Sequence, residues 1–190
     1  MKYIIFQLVR PFSYLRIDHE SKQVYDWYLP IILMIGTIVF SFNFIGLEGL
    51  INTDDGLIAQ LTSFISNLPG FYIAALAAIA TFNRKDMDLR IPEPTPTIEN
   101  LIRGKKQIIK LTRRRLLCSL FAFLTTESIF LVIFTRFFQS SSLGSITFFD
   151  IELSWYGSCV YFLFFWQLVV STLYGLFYMG DKMYDPIQGE

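Results

Sequence analysis

With 53% hydrophobic and 17% aromatic residues in 190, and a mean hydropathy of +0.46, the chain is too apolar for a soluble globule of its size. Sixteen basic and sixteen acidic residues give zero net charge, so bulk charge selects no partner. A hydrocarbon core about 30 Å thick takes roughly 20 apolar residues per helix, and four such segments leave little chain for a soluble domain.

Residues 1–26 read as a cytoplasmic or interfacial arm, apolar from Ile4 to Leu15 around Arg10 and Arg16. Met1-Lys2 opens like a signal peptide, but the apolar run stops at Arg10-Pro11 and no small-residue cleavage site follows, so the arm is expected to be retained. Asp18-His19-Glu20 is a local cluster of potential metal ligands. With one His in the chain and no second cluster to complete a site, neither a metal nor another cofactor is expected.

The region 27–180 reads as an all-α, four-helix transmembrane domain, with spans at about 28–46, 57–82, 116–138 and 155–178. Trp27 and Tyr28 mark the entry to the first, and Pro30 fits its first turn. The second carries Gln60, Thr62, Ser63, Ser66 and Asn67, then a break signal at Pro69-Gly70. Its remainder is alanine-rich (Ala74, Ala75, Ala77, Ala78 and Ala80), which invites close packing within the bundle or between subunits. The third follows Arg113-Arg114-Arg115, the fourth begins at Trp155, and residues 181–190 form a tail.

Charge sets the orientation. Four basic residues precede the first span, ten lie between the second and third, and Lys182 follows the fourth, which puts fifteen of sixteen on one side. The positive-inside rule makes that side cytoplasmic, with both termini there. Arg136, the exception, can snorkel to the outer interface. The outer loops carry Glu48, Asp54, Asp55, Asp150 and Glu152 with no Lys or Arg. Cys118 and Cys159 fall about a dozen Å or more apart in depth, too far to bridge within one chain.

Counting inward at about 1.5 Å per residue places Glu127, Gln167 and Asn67 each roughly 15–18 Å deep, a candidate polar site at the midplane. Two readings fit Glu127. It hydrogen-bonds Gln167 or Asn67 and fixes helix register, or it is a proton or ion site or a switch that senses the membrane.

In the long loop 83–115, Pro92, Pro94 and Pro96 give an extended stretch, after which Thr97 caps an expected helix from Ile98 to Arg115. Arg103, Lys105, Lys106, Lys110, Arg113, Arg114 and Arg115 would make it a basic stalk. Those seven are candidates for contact with lipid headgroups or with an acidic soluble protein. Nucleic acid is not an expected partner, because no aromatic stacking platform accompanies the charge.

The sequence holds no GxSxG elbow, P-loop, HExxH, paired intramembrane aspartates or Ser/His pair, so an enzyme is not expected. The expectation is an oligomeric membrane sensor or scaffold holding a soluble cytoplasmic partner, with a small oligomeric channel or pore as the alternative. Four spans, short acidic outer loops and a basic loop ending in Arg113-Arg114-Arg115 resemble the KwaA-like membrane subunits of the bacterial Kiwa anti-phage system. That resemblance, one of architecture, implies a tetrameric inner-membrane subunit that perceives phage attack on the envelope and works with a soluble KwaB-like, DNA-binding partner. It transfers no residue roles.

Overall fold

The apolar segments fold as four helices long and apolar enough to cross a membrane: Val24–Phe44, Leu57–Thr81, Arg113–Ser140 and Leu153–Gly180, the first to fourth spans. The computed structural model describes residues 10–17, 22–51, 55–81, 87–89, 91, 95–102, 105–140, 147–148 and 151–182. In an 18-residue apolar stretch of each, 50% of the third and 44% of the fourth is buried, against 11% of the first and 17% of the second. The third and fourth are therefore the central pair, with the first packed on the fourth and the second on the third. Side-chain hydrogen bonds stitch the flanks on. Trp166 Nε1 donates to Thr37 Oγ1 (2.9 Å), the Tyr72 and Thr172 hydroxyls lie 2.7 Å apart, and those of Thr62 and Tyr161 lie 3.2 Å apart.

Two prolines shape the flanking spans. Pro30 has no N–H and its ring crowds the preceding turn, so the helix Leu29–Phe44 is entered through a wider π-helical turn, Val24–Tyr28, closed by the Leu29 N–H on the Val24 carbonyl. The first span thus starts before Trp27 and Tyr28, earlier than the aromatic cluster suggested. Pro69 acts four residues upstream in the same way: the second span stops at Ile65, turns at Ser66 and Asn67, and resumes as Leu68–Thr81. At the opposite end of the first span, Gly46 takes a left-handed backbone (φ 71°) that separates it from the short helix Gly46–Ile51.

The expected helix from Ile98 to Arg115 is not what forms. Thr97–Ile102 (β1) and Lys105–Lys110 (β2) pair antiparallel, Ile102 opposite Lys105 and Ile98 opposite Ile109, and the third span starts at Arg113. Isoleucine-rich runs separated by two residues ending in Gly104 are a hairpin signal, and β-branched residues sit better on a pleated surface than in a helix. Buried Ile98 and partly buried Ile109 pack the open end of the ribbon onto the core. Main-chain bonds from Ile91 N to Leu111 O (3.3 Å), Leu111 N to Pro96 O (3.0 Å) and Arg113 N to Leu89 O (3.4 Å) secure its base.

Three arginines at a helix N-terminus face the unfavourable end of its dipole. Arg114 offsets this by clamping its surroundings. Its Nε and Nη2 donate to the Asp88 carboxylate (2.7 and 3.0 Å), and its Nη1 reaches the carbonyls of Ile79 (2.8 Å) and Ala80 (3.3 Å) at the end of the second span. The guanidinium holds the Asp88 carboxyl below its usual range.

The interior divides into two apolar clusters. One contains Tyr72, Ile79, Leu117, Leu120, Leu124 and Leu168; the other contains Leu50, Ile58, Ile65, Leu131, Tyr161 and Phe165. On the third span the division falls between Leu124 and Leu131, and on the fourth between Phe165 and Leu168.

Candidate functional site

Glu127 and Gln167 occupy that division. Each stands at the centre of a 28-residue span, so antiparallel packing brings them to one level. They are 6% and 2% exposed, and both line a groove of 360 Å³, open along its outer side, between the first, third and fourth spans. The rest of the wall is apolar and mostly aromatic: Phe12, Trp27, Phe123, Phe130, Phe134 and Phe164.

Neither carboxyl oxygen of Glu127 nor the amide nitrogen of Gln167 has a hydrogen-bond partner among the described residues. The hydroxyls beside Glu127 are engaged elsewhere, each turned back to its own helix: Thr125 to Phe121 O (2.7 Å), Thr126 to Ala122 O (2.9 Å) and Ser128 to Thr125 O (2.9 Å). A buried polar group left unpaired costs about 1–3 kcal/mol. Two such groups at one level of the central pair therefore mark a layer of unspent hydrogen-bonding capacity, enclosed within the protein.

Asn67 does not join this pair. Helical phase puts it on the outer face of the second span with Gln60 and Ser63, exposed, where its amide donates to Ser63 O (3.2 Å). Depth alone grouped the three residues; helix phase separates them.

One side of the cavity comes from the N-terminal segment Arg10–Arg16, a 3-10 helix laid against the third span. Tyr14 stacks on Phe123 at 5.3 Å, and Phe12 meets both Phe123 (6.2 Å) and Phe130 (6.1 Å). Asp26 fastens the segment: it is 1% exposed, accepts from Tyr14 Oη (3.3 Å) and forms an ion pair with Lys22, whose ammonium lies 4.4 Å from the centre of the Tyr14 ring. Burial first, and then the Asp26 charge, push the Tyr14 phenol far above its ordinary range. Sequence reasoning missed Asp26. The available signal was an acid next to the interfacial aromatics Tyr25 and Trp27, with Lys22 one helical turn before it.

Of the basic candidates, Lys110 is exposed at the end of β2, Lys105 and Lys106 lie in β2, and Arg103 falls outside the described residues. Arg113 is buried, Arg114 forms the clamp and Arg115 is half-buried. The triplet is thus built into the fold at least as much as it is presented outward. Cys118 and Cys159 are half-buried free thiols. Among the described residues no group of three or more His, Cys, Asp or Glu could hold a metal ion, and Asp18-His19-Glu20 lies outside them. Comparison with family models, curated proteins and solved structures finds no match to this chain.

Proposed function

We infer that the chain is a homo-oligomeric, multi-pass subunit of a bacterial cytoplasmic membrane, a sensor or scaffold that holds a soluble protein at its basic, cytoplasmic face. The observation that carries this is the outer face of the second span. Gln60, Ser63, Asn67, Gly70, Ala74, Ala77 and Thr81 follow at alternating steps of three and four residues, and all seven are exposed. Such spacing is the seam of a left-handed helix pair, and small or polar residues are what helices present to each other in lipid. Beside this stripe the second span exposes Phe64 (62%) and Phe71 (69%), as the first exposes Ile32 (64%), Phe42 (70%) and Phe44 (77%), side chains suited to lipid tails.

The test is assembly. In lipid nanodiscs or mild detergent the native chain is expected to form an oligomer. Replacing Ala74 and Ala77 together by Leu should weaken it about a hundredfold, roughly 3 kcal/mol across the seam. A native chain that stays monomeric at membrane-like density would sink the reading. The polar part of the seam also suits a water-filled pore, and Asn67→Cys discriminates. Oxidative cross-linking between chains favours the scaffold; rapid modification by a charged, water-soluble thiol reagent favours conduction.

For the soluble partner, substituting Lys105, Lys106 and Lys110 by Gln spares the internal arginines, and unfolding midpoints measured on the same samples separate docking from folding. Partner recovered with the membrane should fall by about tenfold at physiological salt, with the difference vanishing at about 1 M, where the screening length is near 3 Å. Unchanged recovery would exclude docking through the hairpin. In the setting that the resemblance to KwaA-like subunits implies, the partner acts after a disturbance of the envelope.

A further inference from the structure

We propose that the N-terminal segment Arg10–Arg16 is a detachable cover over Glu127, with Phe12 as its seal and the contacts among Tyr14, Asp26 and Lys22 as the latch that holds it down. The seal follows from helical phase on the third span. Phe123, Glu127 and Phe130 stand at i, i+4 and i+7, one face of the helix. The Phe12 ring meets Phe123 at 6.2 Å and Phe130 at 6.1 Å, and a ring that reaches both bridges the residue between them. The groove beside Glu127 is open along its outer side, yet both carboxyl oxygens are sealed from it.

The latch lies two residues along. Tyr14 stacks on Phe123 and donates to Asp26, which belongs to the first span and is paired with Lys22. A buried ion pair adds little net stability, but removing one partner leaves the other charge stranded away from water and is strongly destabilising. Attachment of the cover is thus conditional on the Asp26 and Lys22 charges staying paired.

Opening brings a compensating gain. With the cover down, both Glu127 oxygens lack a partner among the described residues, and each carries the penalty of a buried, unpaired polar atom. Lifting Phe12 admits water to the acid and relieves that penalty, which narrows the gap between the closed and open states. The segment itself resists weakly. It is a 3-10 helix of seven residues, a form with poorer hydrogen-bond geometry than an α-helix, and Leu15 and Arg16 on it are already exposed. The cover therefore decides between the two readings of Glu127: a sealed packing residue when it is down, an accessible acid when it is lifted. It makes no use of the second-span seam and stands apart from assembly.

The experiment uses the full chain in phosphatidylcholine nanodiscs and dicyclohexylcarbodiimide, an apolar reagent that adds whole to uncharged carboxyl groups. Charge is costly at the depth of Glu127, so the acid is in the form the reagent attacks, and labelling appears as a mass gain on its peptide. The native chain is expected to react slowly there. Asp26→Asn, which keeps the shape and removes the charge, and Phe12→Ala, which removes the seal, should each raise the rate about tenfold. Tyr14→Phe keeps the stacked ring, loses the hydroxyl and should raise it about threefold. Glu127→Gln supplies the blank. Cys159, a free thiol on the fourth span, reports global loosening, and its reaction with N-ethylmaleimide should be the same in every variant. A rate at Glu127 within about twofold of native in either Asp26→Asn or Phe12→Ala would overturn the proposal. Parallel acceleration at Cys159 would overturn it too, by assigning the effect to unfolding of the bundle.

Discussion

Reporters fused after Asn52 and after Ser142 are expected to be active only outside the membrane, and a reporter fused after Pro94 only inside. The effect should be all-or-none, because the fifteen-to-one division of basic residues is opposed by nothing in the outer loops. Inverting the chain would put the ten basic residues between the second and third apolar segments on the far side, against the positive-inside bias. An inside signal from either outer fusion would refute the four-span topology. Arg136, exposed near the far end of the third span, is positioned to reach headgroups and should be replaceable by Gln without altering any of the three signals.

Gly175→Leu should be strongly damaging to the central pair. A Cβ at Gly175 would lie 3.0 Å from Leu120 Cδ2 and 3.5 Å from the Phe121 ring, and Leu120 is fully buried with nowhere to retreat. Overpacking of this kind costs about 1–3 kcal/mol and sometimes more, enough to lower the midpoint of unfolding in detergent markedly. Pairing it with Leu120→Ala should return most of the loss, since the added and removed carbons occupy the same space. Gly36→Leu is the control. It is exposed in the first span with nothing within 4 Å of its Cβ, and should change stability by no more than about 1 kcal/mol, the helix-propensity difference. Equal sensitivity at both glycines would show that the third and fourth spans do not pack as described.

What the sequence made legible is what lipid demands uniformly: four long apolar helices, each visible in hydropathy alone. Less legible was what depends on phase. Asn67, Glu127 and Gln167 share a depth, but only the last two line one groove, because Asn67 falls on the outward face of the second span, opposite the inward row Ile58, Thr62, Ile65, Tyr72 and Ile79. The hairpin was misread because charge and isoleucine content suit a basic amphipathic helix as well as a ribbon, and only Gly104 separates the two. The Arg114 clamp depends on Asp88, twenty-six residues earlier, a pairing no local pattern encodes. Asp26 was hidden because its partners, Tyr14 and Lys22, meet it only once the N-terminal segment folds back over the third span.

The base of the hairpin is tied by main-chain bonds within two residues of the start of the third span, and Arg114, in the first turn of that span, grips the last carbonyls of the second. A ribbon tied in this way would act as a lever with a short arm rather than as a tether. A protein that grasped it would pull on two helix ends at once. Torque applied to the ribbon would then pass into the second and third spans together, the one bearing the exposed seam and the other bearing Glu127.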